Sequence, residues 1–316
     1  MGEFDLIEKY FTWDQPPGNV ITGVGDDAAV LELQSDTQLV TAVDTMVAGV
    51  HFPLDSPAKS IGHKSLAVNL SDLAAMGANP EWFTLALTLP EINHQWLKEF
   101  SSGLKEIAQN SGIYLVGGDT TQGPLTISIQ VMGTVKKGKA LLRSGAQLGD
   151  NIYVTGTLGD AAAGLMSIDG KLELPAVDAD YCKQRLDQPQ PRLAESLVIS
   201  RFASSCIDVS DGLLQDLLHI LKQSNKGAEL DLSLIPMSDV LNKIESEQAL
   251  GFALSGGDDY ELLFTIPQQL EARFLQEMQH VDYPVSAIGI ITDKSQAIVD
   301  SDGNILASKG YDHFHE

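Results

Sequence analysis

The chain has 316 residues and a mass of 34.0 kDa, enough for two domains of about 150 residues each. It is 43% hydrophobic, so it can bury ordinary cores, and its formal net charge is −23, from 43 acidic and 20 basic residues. This acidic balance argues against nucleic acid or an anionic membrane surface as a partner, because both require a basic surface. It also means that a phosphate-bearing substrate would depend on bound cations.

The first half of the chain predicts an α/β domain with a mixed sheet. Strands are indicated by runs rich in Val and Leu between turn residues, and helices by apolar residues at helical spacing. One helix presents Trp96, Phe100, Leu104 and Ile107 on one face, and Gly112 is its expected end. In chain order the predicted elements are strands 28–33 and 38–47, a helix 57–78, a strand 82–89, the helix around residues 96–107, and strands 113–116 and 125–135.

A lysine-rich stretch followed by a turn, residues 136–150, indicates the join to a second domain. The helix predicted to begin at Asp211 has Ser210 as its expected N-cap. The elements predicted after the join are a strand 151–155, helices near 160–166 and 192–202, a strand 206–209, a helix 211–222, strands 229–234, 261–266 and 285–291, and a hairpin turned by residues 301–303.

The N-terminus and the cysteines favour a cytoplasmic protein. Residues 1–5 are acidic and lack the basic start and apolar core of a signal peptide. No apolar run approaches the roughly 18 residues that a membrane span needs. Cys182 and Cys206 fit neither a disulfide framework nor the spacing of a zinc site.

Aspartate stands beside glycine in four segments that follow apolar runs, which predicts four loops. Glycine lets the backbone approach a ligand closely, and loops that follow strands often carry functional sites. Carboxylates bind hard cations, and several of them could share one site only with cations between them. The pattern therefore favours a multi-magnesium phosphate site, with solvated turns as the alternative for any single loop. The segments are 25–27, 117–119, 208–212 and 256–259, with Asp44 and Asp72 near the ends of two further apolar runs.

Six segments carry a resemblance that runs nearly from one end of the chain to the other. They are residues 23–29 (GVGDDAA), 43–52 (VDTMVAGVHF), 67–78 (AVNLSDLAAMGA), 117–121 (GGDTT), 208–213 (DVSDGL) and 254–262 (LSGGDDYEL). In this order they resemble the thiamine-monophosphate kinase family of the aminoimidazole ribonucleotide synthetase, or PurM-like, superfamily.

The resemblance implies an α/β fold of the α+β type with two PurM-like domains, each a mixed sheet with helices packed on one face. Residues 1–138 would bind ATP and metal and form a homodimer, and residues 147–316 would form the C-terminal domain. The implied reaction is the last step of thiamine diphosphate synthesis. In it, ATP phosphorylates thiamine monophosphate directly, with several Mg²⁺ ions as cofactors.

The resemblance also implies a role for individual residues. No side chain is expected to act as a general base. Metal ligands would be Asp27, Asp44, Asp72, Asp119, Asp208 and Asp211; ATP contacts Gly118, Asp119, Arg143 and Ser210; and substrate contacts His51, Asp258 and Phe314, with Tyr311 as the alternative to Phe314.

The chain departs from the family pattern at two of these places. Hydroxyl residues often precede the aspartate of the second motif, but Ala42 and Val43 precede Asp44 here, which leaves Thr41 as the nearest hydroxyl. Glutamate is usual where Asp258 stands, and aspartate has a reach that is shorter by one methylene group. Both differences put the corresponding contacts in question.

Several alternatives remain at this stage. Selenophosphate synthetases need a reactive Cys near the N-terminus, and hydrogenase-maturation dehydratases need one at the C-terminus; this chain has neither. A purine cyclo-ligase of the same superfamily stays open. A non-catalytic divalent-cation-binding protein also stays open, although residues 300–303 are only a fragment of an EF-hand loop.

Overall fold

The computed structural model describes residues 3–25, 28–294 and 296–307. The chain forms two compact units. The first unit consists of residues 1–73 and 78–139, and the second of residues 74–77 and 140–316. No helix in the described part of the chain combines the length and the apolar character that crossing a bilayer requires.

The first unit contains one four-stranded sheet, a separate two-stranded ribbon and three helices among its described residues. The sheet has the strand order β3-β6-β4-β5, in which only β4 and β5 run parallel to each other. The elements are α1 (Glu3–Phe11), β1 (Val20–Thr22), β2 (Val30–Leu31), β3 (Thr37–Val47), α2 (Ala58–Ala75), β4 (Asn79–Leu89), α3 (His94–Ser111), β5 (Tyr114–Gln122) and β6 (Thr126–Lys136).

The two faces of this sheet differ in what covers them. Alternate residues of β4 and β6, such as Leu85 and Ile129, are buried, and Leu73 of α2 lies against Gly133 of β6. On the opposite face, β1 and β2 pack over Trp82 at one end of the sheet. The rest of that face carries exposed side chains, so the first unit has helices on one face, as predicted.

Helices α2 and α3 approach each other so closely that both need glycine at the crossing. A Cβ at Gly62 would overlap the Phe100 carbonyl oxygen, and one at Gly103 would overlap the Lys59 carbonyl oxygen. No side-chain movement could relieve either overlap, because the atoms that would be hit belong to the backbone. This contact fixes α2, the helix that carries Asp72, against α3.

The second unit contains a six-stranded mixed sheet of order β12-β9-β11-β7-β10-β8, in which only β12 and β9 are parallel. Its elements are β7 (Asn151–Thr155), α4 (Asp160–Ile168), α5 (Ala176–Asp187), α6 (Leu193–Ile199), β8 (Ser205–Asp208), α7 (Leu213–Ser224), β9 (Gly227–Leu230), α8 (Ser246–Ser255), β10 (Leu262–Ile266), α9 (Gln268–Met278), β11 (Val285–Thr292) and β12 (Ile298–Asp300).

Both faces of the second sheet are covered, which differs from the prediction of helices on one face. Along β7, Ile152 and Val154 pack in a core with α7 and α8, whereas Tyr153 packs in another core with α6 and α9. Alternate residues of a strand point to opposite faces, so apolar residues at successive positions require cover on both sides. The α/β class with two mixed sheets is confirmed, and the one-face detail is wrong for this unit.

Local predictions failed mainly where glycine interrupts the apolar pattern. The strand predicted at 113–116 continues in β5 to Gln122, so Asp119 lies within a strand and not in a loop. Helix α7 begins at Leu213, with Gly212 at its N-cap position, so Ser210 is not the N-cap. The left-handed φ of 115° at Gly212 breaks the helical path between these residues.

The α2–α3 crossing leads to a stability prediction. We expect Gly62→Ala to lower the free energy of unfolding by at least about 2 kcal/mol, because the new methyl group overpacks a backbone contact. Gly251→Ala is the matched control: Gly251 also lies in a helix, but nothing is within 4 Å of the position that a Cβ would take there, so alanine should be neutral or slightly stabilising. Urea denaturation of both variants measures this; equal midpoints would contradict the close crossing.

Candidate functional site

In the first unit, a hydrogen bond joins the strand that carries Asp44 to the helix that carries Asp72. The backbone N–H of Asp44, on β3, donates a hydrogen bond to Oδ1 of Asn69 on α2 at 3.1 Å. The Asn69 side chain is buried and donates in turn to the Ser65 carbonyl at 3.0 Å. Asp72 follows Asn69 by about one helical turn. Burial raises the pKa of Asp44 and thereby favours its neutral form. A bound cation would instead favour its charged form.

Asp119 lies in a different row of the same sheet. Asp44 is in register with Ile129, Leu85 and Gly118, whereas Asp119 is in register with Ala86 in the next row. Asp119 thus lies one row further along the sheet than Asp44, and its side chain is exposed.

Gly118, predicted to contact ATP, has a structural reason to be glycine. A Cβ at this position would overlap the carbonyl oxygen of Leu85 on the neighbouring strand. Close packing of β5 on β4 thus accounts for this glycine without a ligand. The predicted ATP contact would be made by its backbone, which has no side chain to shield it.

The turn after β3 determines the hydrogen-bonding state of His51. The backbone N–H of Val47 donates to His51 Nδ1 at 3.0 Å. Because Nδ1 accepts this bond, a neutral His51 ring carries its proton on Nε2. Neutral His51 is therefore a donor at Nε2 and cannot take up a further proton there.

Thr41, the nearest hydroxyl before Asp44, is directed elsewhere. Its Oγ1 donates to the Val131 carbonyl at 2.9 Å and accepts from Gln130 Nε2 at 3.2 Å. It is three residues before Asp44, so the two side chains alternate to opposite faces of β3. The structure thus does not bring Thr41 to Asp44.

In the second unit, two predicted loops are hydrogen-bonded to each other along their backbones. Val209 N–H donates to the Glu261 carbonyl at 2.8 Å, and Tyr260 N–H donates to the Val209 carbonyl at 2.8 Å. Asp258 N–H donates to the Ser210 carbonyl at 2.9 Å. These bonds bring the loop of residues 208–212 together with the loop of residues 256–260. The predicted residues Asp208, Ser210, Asp211 and Asp258 therefore share one end of the second sheet.

Asp216 holds the first of these loops and was not singled out by the sequence. Its Oδ2 accepts hydrogen bonds from the backbone N–H groups of Ser210 and Asp211, at 3.0 and 3.1 Å. Its side chain is buried on the apolar face of α7. Burial, followed by the charges of Asp208 and Asp211, raises its pKa to about 8. An acidic residue at a core position of an amphipathic helix was the signal that could have revealed it.

The backbone of Arg143 lies beside the C-terminal end of α7. Ser224, the last residue of α7, donates to the Arg143 carbonyl at 3.4 Å and accepts from the N–H of Ala146 at 3.1 Å. Burial lowers the pKa of His219 on α7; Arg143 lowers it further, whereas Asp211 raises it. The charges of Arg143 and Asp211 therefore both act on His219, in the middle of α7.

The predicted metal ligands are distributed over both units. Asp44, Asp72 and Asp119 belong to the first unit, and Asp208 and Asp211 to the second. Among residues 3–25, 28–294 and 296–307, no three His, Cys, Asp or Glu side chains are grouped as metal ligands would be. Asp27, Phe314 and the alternative Tyr311 lie outside the described residues. The carboxylates offer only oxygen donors, which fits Mg²⁺ chemically.

Comparison with known proteins identifies the family. Residues 25–135 match the model for the N-terminal domain of AIR synthase related proteins, and residues 147–301 match the model for the C-terminal domain. The chain is 46% identical over 319 aligned residues to the thiamine-monophosphate kinase of Escherichia coli K12, covering 99% of this chain and 98% of that protein. The chain belongs to the thiamine-monophosphate kinase family.

Two solved structures support this membership. Thiamine-monophosphate kinase from Stenotrophomonas maltophilia K279a superimposes with a TM-score of 0.87 at 44% identity, covering 92% of this chain and 93% of that one. AaThiL, solved in complex with AMPPCP and TMP, superimposes with a TM-score of 0.80 at 29% identity, covering 98% of this chain and 96% of that one. The two-domain PurM-like fold is therefore that of the thiamine-monophosphate kinase family.

Asp216 leads to a prediction about pH and stability. The folded protein keeps a proton on Asp216 up to about pH 8, whereas the unfolded chain loses it near the ordinary value of 3.8. The folded state thus binds more protons between these values, so its stability should fall as pH rises from about 4 to about 8. Asp216→Asn keeps an acceptor for both N–H groups but cannot ionise, which should flatten this dependence.

The measurement is the free energy of unfolding in urea at steps between pH 4 and pH 8, with EDTA present to remove divalent cations. Over this range the free energy of unfolding of the wild type should fall relative to that of Asp216→Asn by up to about 6 kcal/mol, since the pKa is raised by roughly four units and each unit corresponds to about 1.4 kcal/mol. Parallel curves for the two proteins would contradict a raised pKa at Asp216.

Proposed function

We propose that this member of the thiamine-phosphate kinase family phosphorylates thiamine monophosphate to thiamine diphosphate at the expense of ATP, the last step of thiamine diphosphate synthesis. The observation that carries the proposal is the similarity, over 98% of the chain, to AaThiL in complex with AMPPCP and TMP. We take these ligands to stand for ATP and thiamine monophosphate. Two buried free cysteines, Cys182 and Cys206, are consistent with a reducing compartment, and we place the reaction in the cytoplasm.

The chemistry of the acceptor suits a site that is rich in carboxylates. The second pKa of a phosphate monoester is about 6, so its oxygen is already ionised near neutral pH and needs no general base. The main obstacle is the repulsion between two polyanions, which divalent cations on both phosphates reduce. With a net charge of −23, this chain offers few cations of its own. We therefore propose direct transfer with several Mg²⁺ ions.

We assign metal binding, nucleotide binding and dimer formation to residues 1–138, and further metal, ATP and substrate contacts to residues 147–316. The hydrogen-bonded loops at 208–212 and 256–260 support the second assignment, and the position of Asp44 against α2 supports the first. The proposed metal ligands are Asp27, Asp44, Asp72, Asp119, Asp208 and Asp211; the ATP contacts are Gly118, Asp119, Arg143 and Ser210; the substrate contacts are His51, Asp258 and Phe314.

We also propose that the chain forms a homodimer through the exposed face of the first sheet. Leu39 and Val43 of β3 are 47% and 63% exposed and lie on that face. Exposed apolar residues within a sheet face favour cover by another molecule. Sedimentation equilibrium tests whether the homodimer forms, because a homodimer has twice the mass of the 34.0 kDa chain.

The decisive experiment mixes the protein with ATP, Mg²⁺ and thiamine monophosphate and follows thiamine diphosphate by chromatography. The proposal requires product formation that stops in excess EDTA and returns with Mg²⁺. Calcium should substitute poorly, because it is larger and tolerates irregular coordination. Ligation of a purine precursor without thiamine diphosphate would favour the cyclo-ligase alternative, and cation binding without any turnover would favour a binding protein.

Asp72 provides a test of the metal assignment. We expect Asp72→Asn to lower turnover by orders of magnitude and to raise the Mg²⁺ concentration needed for half-maximal rate, because a neutral amide is a weaker ligand for a hard cation. Asp169→Asn is the control, since Asp169 pairs with Lys171 at the surface and has no assigned role. Wild-type turnover with unchanged Mg²⁺ dependence in Asp72→Asn would make Asp72 an ordinary helix-surface residue.

His51 provides a test of the mechanism, because its hydrogen bond to Val47 separates two functions of the ring. Asparagine can place an oxygen near the Nδ1 position and keep the Val47 bond, but it lacks a donor at the Nε2 position. We therefore expect His51→Asn to raise the KM for thiamine monophosphate more than it lowers kcat. The fall of the rate at low pH, which comes from protonation of the acceptor phosphate, should remain in the variant.

His51→Gln is the matched comparison, since its amide reaches the Nε2 position and loses the Nδ1 acceptor. It should bind thiamine monophosphate better than His51→Asn if the donor is what matters. The contradicting result would be seen in His51→Asn. If its single-turnover rate fell by the roughly 10²–10⁴-fold expected for loss of a general base, and the fall of the rate at low pH disappeared, His51 would be catalytic.

A further inference from the structure

In the loop at residues 256–260, two residues other than glycine have a backbone conformation that is rare for residues with a side chain. Asp258 has a φ of 68° and Tyr260 a φ of 51°, both in the left-handed region. Aspartate tolerates this region moderately well, whereas a bulky residue there is an outlier. Such a conformation persists only when the surrounding structure enforces it, and it is concentrated at functional sites. A tyrosine at this strained backbone position therefore indicates a role for its side chain.

Two sets of contacts hold the C-terminal part of this loop. On one side, Asp258 and Tyr260 donate their backbone N–H groups to the carbonyls of Ser210 and Val209. Next to Tyr260, the fully buried carboxylate of Glu261 anchors the chain to the rest of the unit. The donors to this carboxylate are Thr155 Oγ1 at 2.6 Å, Arg185 at 2.9 Å, Arg192 through two nitrogens at 2.7 Å each, and Tyr283 Oη at 3.0 Å.

The hydroxyl of Tyr260 has a defined partner within the loop. Tyr260 Oη donates a hydrogen bond to Asp258 Oδ1 at 3.0 Å. A hydrogen bond of this type to an ionised carboxylate restricts the rotation of the carboxylate and is stronger than one between neutral groups. The strained backbone thus places a hydroxyl against the carboxylate proposed to contact the substrate.

The chemistry of Asp258 indicates which part of the substrate it contacts. A carboxylate repels the phosphate of thiamine monophosphate but attracts the cationic thiazolium ring and the amino group of the pyrimidine. Aspartate is also shorter by one methylene group than the glutamate usual at this position. A shorter side chain has fewer rotamers with which to reach the substrate, so the contact depends more strongly on how the Asp258 carboxylate is oriented.

We propose that Tyr260 is a positioning residue for thiamine monophosphate: its hydroxyl orients the Asp258 carboxylate toward the cationic organic part of the substrate. The proposal rests on the proposed function. It explains why the loop keeps a tyrosine in a left-handed conformation, where glycine would adopt the same backbone without strain. The alternative is that the tyrosine ring serves packing alone.

Tyr260→Phe separates these explanations, because it keeps the ring and removes only the hydroxyl. We expect the KM for thiamine monophosphate to rise about tenfold, the size expected for loss of a hydrogen bond to a charged group. The KM for ATP and kcat should stay within about twofold of wild type, and the melting temperature should not change. Calorimetric titration with thiamine monophosphate alone should show the same loss of affinity.

A double-mutant cycle tests whether Tyr260 acts through Asp258. In Asp258→Ala the carboxylate is gone, so adding Tyr260→Phe should change the KM for thiamine monophosphate no further. Tyr181→Phe is the control: Tyr181 Oη also donates to a carboxylate of the second unit, Asp160 Oδ2 at 3.2 Å, outside the loop. It should leave the KM for thiamine monophosphate unchanged.

The outcomes separate this proposal from the proposed function. If the wild type forms thiamine diphosphate and Tyr260→Phe has a wild-type KM, only the positioning role is wrong. The same holds if the effects of the two substitutions multiply in the double mutant, because Tyr260 would then act independently of Asp258. If the wild type neither binds nor phosphorylates thiamine monophosphate, the proposed function fails and the positioning role falls with it.

Discussion

Glu261 is the buried charge on which the organisation of the second unit depends. Its carboxylate is fully buried and receives five hydrogen bonds, from Thr155, Tyr283, Arg185 and, twice, Arg192. A buried ion is costly unless opposite charges and hydrogen bonds compensate it, so removal of one partner is far more damaging than the pair is stabilising. The donors come from β7, α5 and the segments before α6 and β11. These elements must therefore stay together at the end of the adjacent loop.

Buried carboxylates hold both loops that carry the proposed site residues of the second unit. Glu261 holds the loop at residues 256–260, and Asp216 holds the loop at residues 208–212 through two backbone N–H groups. The two loops then bond to each other, so that each limits the movement of the other. A site that must place several charged groups around a phosphate gains from such preorganisation, because little ordering is left for the moment of binding. Buried residues that contact no ligand thus set the geometry of those proposed to do so.

Charge repulsion is the second constraint on this molecule. Burial, and after it the charges of Asp208 and Asp211, raises the pKa of Asp216, and burial raises that of Asp44. Carboxylates collected in this way favour bound cations, and a phosphate substrate needs the same cations. The surplus of acidic residues and the proposed use of magnesium are therefore two aspects of one physical requirement. This also explains how a strongly acidic chain could bind two anionic substrates.

The sequence alone determined the α/β class, most of the strands and helices, the family resemblance and the two loops that carry Asp208, Ser210, Asp211 and Asp258. These properties depend on local periodicity and on motifs that are continuous in the chain. The prediction was least accurate around glycine, where β5 continues through residues 117–119 without an apolar signal.

Only the tertiary structure decided where the carboxylates of the first sheet lie along it and which buried groups support the site. The positions of Asp44 and Asp119 in adjacent rows depend on strand register, which joins residues far apart in the chain. The role of Asp216 and the hydrogen bond from Val47 to His51 depend on the path of the backbone after a strand. The left-handed backbone of Tyr260 is imposed by Glu261 and Val209, against the residue's own preference. Local sequence cannot encode such features, because the free energy that enforces them comes from contacts with other parts of the fold.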